Sequence, residues 1–111
     1  MNVMRTLAEV CKMTGITRRA IQGYEKMGLV VAKEKNKYGH LLYGNEEIKR
    51  IEKIKLYQEL GFKLREIKEI ITAPDDILKF ELQQKVTFLE TEVEAKKRVI
   101  LQVKKIIEEL P

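Results

Sequence analysis

Arg18 and Arg19 stand side by side in the stretch TGITRRAIQGYEKMGL, residues 14–29. Guanidinium groups can pair with phosphate oxygens or with the two-acceptor edge of a guanine. Gln22 follows Arg18 by four residues, and Lys26 follows Gln22 by four. In a helix Arg18, Arg19, Gln22, Gly23 and Lys26 all stay on the outer side. Bond-making chemistry is not written into the chain in the same way. His40 is the single histidine and sits in a basic loop, and Cys11 is the single cysteine. No nucleophile–base pair, metal-ligand spacing or phosphate-cradling glycine loop accompanies them. The reading is therefore of a non-enzyme, with no cofactor and no bound metal.

The elements around the arginines explain how they could be held. Gly15 can take the left-handed conformation that closes a preceding helix. Thr17 can cap the next one through its hydroxyl. Ile16 and Ile21 are spaced as a hydrophobic staple across that cap. Ala20, Ile21, Tyr24 and Met27 fall along one apolar side, and Gly28 ends the helix. Upstream, Thr6 to Thr14 reads as a first helix, with Thr6 and Glu9 at capping-box spacing. Its face of Leu7, Val10 and Cys11 would pack on Ala20, Ile21 and Tyr24. Cys11 on that face reads as a packed thiol. Both helices are too short to be stable alone, so each needs the other. Two such helices form a helix-turn-helix, whose second helix enters the major groove of DNA in proteins that use it so. A solvated basic face would show the same pattern.

Downstream, Leu29 to Ala32 reads as a strand and Leu41 to Tyr43 as a second. Between them runs a loop with Lys33, Lys35 and Lys37, then Tyr38, Gly39 and His40. A hairpin directly after a helix-turn-helix is a wing, whose lysines would lie against phosphates. A plain surface loop is the other reading. A third helix opens at Gly44 or Asn45, with Glu46 and Glu47 suiting the helix dipole. Ile48, Ile51, Ile54, Tyr57 and Leu60 supply its buried face, and Gly61 ends it. Leu64, Ile67, Ile70 and Ile71 mark a fourth helix. Its cap position, Lys63, has no side-chain acceptor and the wrong charge for the dipole. Either an anion such as a DNA phosphate lies nearby, or an exposed start tolerates a weak cap.

Ala73-Pro74 breaks the fourth helix. Asp75 and Asp76 then cap and charge a new one, which meets no glycine and no further proline before Leu110. At ~1.5 Å per residue it could extend on the order of 50 Å. Leu82, Val86, Leu89, Val93, Ile100, Val103, Ile107 and Leu110 follow alternating steps of four and three, interrupted at Lys96. That is a coiled-coil stripe, and a second copy is the partner that would bury it. Phe80, Phe88 and Leu101 lie off this stripe and are placed to dock on the globular part. A helix folded back on its own domain is the other reading, although so small a domain has too little surface to cover the stripe. The expected organisation is thus mainly α: residues 1–73 as a winged helix-turn-helix domain and 74–111 as a coiled-coil dimerisation helix.

Charge divides along the same line. The chain carries +5 overall. Residues 1–73 hold 15 Lys and Arg against 9 acidic residues, and residues 74–111 hold 7 against 8. The first part suits a polyanion and the second a protein partner. No run is long and apolar enough for a membrane span, and the N-terminus has no apolar signal core. A cytoplasmic, reducing location without a membrane partner is expected.

Taken together, LAEVCKMTGITRRAIQGYEKMGLV, YGHLLYGNEEIKRI and LYQELGFKLREIKEII resemble the MerR family of bacterial transcription regulators. The resemblance runs from about Thr6 to Ile71 and continues in kind through the long helix. It implies a winged helix-turn-helix, two further helices and a long dimerisation helix paired antiparallel with a second copy. It also implies a homodimer on a pseudo-palindromic promoter. The spacer of that double-stranded DNA would be bent or untwisted for RNA polymerase. Arg18 and Arg19 would then be the base-reading and phosphate-contacting pair, and Tyr24 would lend its hydroxyl to a phosphate. Lys37, Tyr38 and His40 would serve the wing, and Lys63 a second, helix-helix wing. Thr17 and Gln22 complete the DNA-facing set. The chain departs from the family pattern at Gln22, Gly23 and Leu41, where arginine, an aromatic residue and arginine are usual. The resemblance supplies no effector domain and no metal-binding cysteines near residue 111. This implies a short member without its own sensor, or a piece of a longer chain. Two other functions fit the same residues: an architectural, excisionase-like DNA bender, and a coiled-coil interaction module without DNA binding.

Overall fold

The structure is a computed structural model that describes residues 3–111. Contacts divide the chain at Thr72 and Ala73 into two units.

In the first unit the order is β1 (Arg5–Thr6), α1 (Leu7–Thr14), α2 (Arg18–Lys26), β2 (Glu34–Lys35), β3 (Leu41–Tyr43), α3 (Asn45–Glu59) and α4 (Leu64–Ile70). Local chemistry accounts for the helix starts. The Thr6 hydroxyl accepts from the Glu9 amide at 3.3 Å, while the Glu9 carboxylate accepts from the Thr6 amide at 2.9 Å. Those two hydrogen bonds, the backbone one first, hold the exposed Glu9 carboxyl below its usual pKa. Gly15 has φ 73°, and its amide closes α1 on Cys11 O at 2.9 Å. Cys11 is half-buried. The Thr17 hydroxyl then accepts from the Ala20 amide at 3.1 Å and opens α2. Gly44 caps α3 with its amide donating to Glu47 Oε1 at 2.9 Å.

The three short strands form one antiparallel sheet in the order β1-β3-β2. Arg5 faces Tyr43 and Thr6 faces Leu42 on one side of β3, and Glu34 faces Leu42 and Lys35 faces Leu41 on the other. The core lies among the helices and the sheet. Val10, Ile21, Tyr43, Ile51, Ile54 and Ile67 are fully buried.

Three positions differ from the sequence reading. The first wing strand is Glu34–Lys35 rather than residues 29–32. Leu29 and Val30 are instead core residues. The Leu29 amide donates to Tyr24 O at 2.9 Å and its carbonyl accepts from Arg50 Nε, so that backbone serves the helices. A short apolar run reports burial and does not by itself distinguish a strand. Leu60 is 46% exposed. It caps α3 after the last helical turn, and Phe62 enters the core in its place, edge-to-face on Tyr57 at 5.9 Å. Asp75 and Asp76 lie inside the first turn of the last helix, and Pro74 holds its cap position without a side-chain hydrogen bond. The aspartates therefore act through the helix dipole.

The second unit is α5 (Asp75–Glu109), one helix of 35 residues. It contains no buried residue. Val86, Leu89, Val93, Ile100, Val103, Ile107 and Leu110 are 44–64% exposed, and Leu82 is half-exposed. Phe80, Phe88 and Leu101 are exposed as well. No described helix is long and apolar enough to cross a membrane.

Ile51 sits at the centre of the core with no exposed surface. Ile51→Ala should lower unfolding free energy by about 2–5 kcal/mol. Val31→Ala, at a position 75% exposed, should stay within about 0.5 kcal/mol. Urea denaturation of the two variants checks this.

Candidate nucleic-acid interface

The α2 helix is amphipathic, and its two sides do different work. Ile21 and Tyr24 face the core, while Arg18, Arg19, Gln22 and Lys26 are exposed. No acidic residue lies in the first turn. Two guanidinium groups thus stand at the positive end of the helix dipole, an arrangement that an approaching anion relieves. Thr17 is exposed, and its hydroxyl is already used to cap the helix.

Two side-chain hydrogen bonds fix the rotation of α2. The Tyr24 hydroxyl donates to Gln58 Oε1 on α3 at 2.6 Å. The Tyr43 hydroxyl, from β3, donates to Glu25 Oε1. Burial raises the Tyr24 pKa, with Glu59 adding to the effect. Burial also raises that of Tyr43, followed by its hydrogen bond to Glu25. Tyr24 is 1% exposed and its hydroxyl is committed to Gln58. A phosphate contact by that hydroxyl would need its proton redirected, with the Gln58 carboxamide turned to donate to it instead. In this structure Tyr24 is a core residue that holds α2 against α3.

The wing is built by Asn36. Its Oδ1 accepts from the Tyr38 amide at 2.9 Å and the His40 amide at 3.0 Å. The Asn36 amide donates to His40 O, and the Gly39 amide to Asn36 O, which closes the turn with Gly39 at φ 82°. Lys37, Tyr38 and His40 are all exposed. The Lys37 ammonium lies 5.2 Å from the Tyr38 ring centre, and the His40 ring lies 6.4 Å from that ring. The tip therefore offers cations and a flat aromatic face.

Wing and α2 meet across a cleft of about 420 Å³, lined by Leu7, Ala8, Arg18, Gln22, His40 and Leu41 among others. Arg18, Gln22 and His40 are thus brought to one surface. Arg19, Lys37, Tyr38 and Lys63 do not line it. Lys63 is exposed at the start of α4, where its amide donates to Glu66 Oε1 at 2.8 Å. The weak cap is explained within the helix: Glu66, three residues on, provides both the acceptor and the negative charge. Sequence reasoning missed Asn36, Gln58, Glu25 and Glu66 as positioning residues. For Glu66 the signal was available, a glutamate three residues past the cap. For Asn36 it was the turn-forming Asn three residues before Gly39. For Gln58 and Glu25 there was none, because their partners are distant in sequence.

Among the described residues no cluster of His, Cys, Asp and Glu could hold a metal ion.

Residues 5–73 match the family model described as MerR HTH family regulatory protein. The chain belongs to the MerR family. It is 37% identical over 81 residues to the nodulation protein NolA of a Bradyrhizobium species, a match covering 70% of this chain and 34% of NolA. It is 32% identical over 69 residues to the mercuric resistance operon regulatory protein of Bacillus cereus, covering 62% of this chain and 52% of that protein. The chain thus spans about a third of the length of the NolA relatives it matches. In fold it is similar to the N-terminal part of Mta, the multidrug transporter activator of Bacillus subtilis. That comparison has a TM-score of 0.84 at 23% identity and covers 93% of this chain and 97% of that one. HiNmlR, a MerR family regulator lacking the sensor domain and bound to promoter DNA, shares the fold with a TM-score of 0.64 at 16% identity. It covers 96% of this chain and 89% of that one. Residues 5–73 are thus the helix-turn-helix part of a MerR family regulatory protein.

The buried Tyr43 makes stability pH-dependent at the alkaline end. Its folded pKa is raised, so the neutral hydroxyl is the folded form. Below the unfolded pKa of about 10 stability is unaffected; above it the unfolded chain releases the proton more readily and stability falls. Tyr43→Phe should flatten that fall between about pH 10 and 12. Unfolding titrations at stepped pH check the slope.

Proposed function

We propose that the chain acts as a homodimer. The long helices pair through Leu82, Val86, Leu89, Val93, Ile100, Val103, Ile107 and Leu110. Two copies then set their α2 helices into successive major grooves of a pseudo-palindromic promoter. Bending or untwisting of the spacer lets RNA polymerase engage both promoter elements. The observation that carries the dimer is the stripe on α5, a 35-residue helix with no buried residue of its own. Apolar side chains at heptad spacing, broken at Lys96, gain little until a second helix covers them. Support for a promoter target comes from the exposed arginine pair of α2, the basic wing and the shared fold of a regulator solved on promoter DNA. The DNA-contacting residues proposed are Thr17, Arg18, Arg19, Gln22, Lys37, Tyr38, His40 and Lys63, with Tyr24 as the support beneath them. The location that follows is the cytoplasm.

A single set of variants tests both halves. In sedimentation equilibrium at micromolar concentration the wild type should be a dimer. Val103→Asp should be a monomer with at least tenfold weaker operator binding. Arg19→Ala should stay dimeric yet bind DNA about tenfold more weakly, the worth of one lost charge-assisted contact. Lys104→Ala should bind within about twofold of wild type, because a solvated charge away from the groove contributes little. A monomeric wild type, or equal losses at Arg19 and Lys104 in gel-shift titrations, would contradict the reading.

A further inference from the structure

We infer that Gln22, with the apolar cleft beside it, reads an A·T base pair lying within two pairs of the one contacted by Arg18. The inference rests on the DNA-binding reading and assigns a base to one of its residues.

Gln22 is exposed on α2, one turn after Arg18, and both line the cleft between α2 and the wing. Its carboxamide has no partner among the described residues. A carboxamide offers an acceptor and two donors side by side. In the major groove adenine alone presents the matching edge, with N6 as donor and N7 as acceptor. Guanine presents two acceptors, which suit a guanidinium but leave the amide oxygen of glutamine unpaired. Arg18 and Gln22 thus carry complementary base preferences on one helix face. Four residues of helix span ~6 Å, against ~3.4 Å per base pair, so the two side chains reach neighbouring or next-but-one pairs.

The space next to Gln22 fits the other half of the pair. Gly23 follows it, and a Cβ built there would meet nothing within 4 Å. The helix surface beside the amide is therefore open to a base edge. Leu7, Ala8 and Leu41 give the cleft apolar walls. Thymine is the base that carries an apolar group, its C5 methyl, into the major groove. An amide at the rim and aliphatic walls behind it match adenine and thymine together.

The test starts with selection of bound duplexes from a randomised pool, using the full chain as wild type, Gln22→Ala, Gln22→Arg and Arg18→Ala. The wild type should enrich an A·T pair within two positions of the pair whose preference is lost in Arg18→Ala. Gln22→Ala should lose the A·T preference alone, and Gln22→Arg should change it to G·C. In the selected site, 7-deazaadenine at that position should weaken wild-type binding about tenfold and leave Gln22→Ala unchanged. Uracil in place of its thymine should cost about fourfold, the worth of one buried methyl, and the cost should vanish in Leu41→Ala. An identical selected site for wild type and Gln22→Ala, or no response to 7-deazaadenine, would overturn the assignment while leaving DNA binding intact. Failure of the wild type to enrich any sequence would overturn the DNA-reading role of this surface and the assignment with it.

Discussion

A helix of nine residues has almost no stability of its own in water, and α2 is held from three directions. Ile21 and Tyr24 are packed into the core. The Tyr24 hydroxyl ties the helix to Gln58 on α3, and Glu25 ties it to Tyr43 on β3. These two anchors are adjacent residues, so they fix both the tilt and the rotation of the helix. Everything that faces outward follows. With Ile21 and Tyr24 packed inward, Arg19, Gln22 and Lys26 face solvent, while exposed Arg18, seven residues before Glu25, lies on the side of the helix nearest the wing. A groove reader needs this, because side chains on a rotating helix would spend their binding energy on being ordered.

The wing obeys the same logic with different chemistry. Its strands are two and three residues long and cannot hold a hairpin by themselves. β3 is paired on both edges, with β1 before α1 and with β2. Asn36 then closes the tip through two backbone amides. Because Tyr43 ends β3 and also bonds Glu25, wing and α2 share one anchor. The second unit poses the opposite problem: a long helix with an apolar stripe and no buried side chain. The near balance of charge over residues 74–111, 7 basic against 8 acidic, gives it little attraction for a polyanion and suits the proposed pairing with a second copy.

Much of this was legible where the signal is local. The Thr6–Glu9 box, the Thr17 cap and the Gly15 turn involve residues within a few positions of one another, and each lies where its side chain demands. The length of α5 follows from the lack of glycine and of internal proline after Pro74. What was not legible depends on distant partners. The run Leu29-Val30 announced burial, and only the Arg50 side chain and the Tyr24 carbonyl decide that its backbone pairs with helices rather than a strand. β1 is two residues without apolar alternation and exists only because β3 lies beside it. Leu60 keeps the helical period of α3 but falls past its last turn, so Phe62 takes the core position. Tyr24 carried two readings, core and phosphate contact, and the geometry commits its hydroxyl to Gln58.

The most direct measurement of whether α2 is the reading element is an NMR titration of the isotope-labelled chain with an operator duplex. The largest amide shifts are expected over residues 17–26 and at the wing residues 33–40, with α5 residues 86–107 unmoved. Shifts confined to α5, or α2 amides that stay in place as DNA binds, would contradict a major-groove role for that helix.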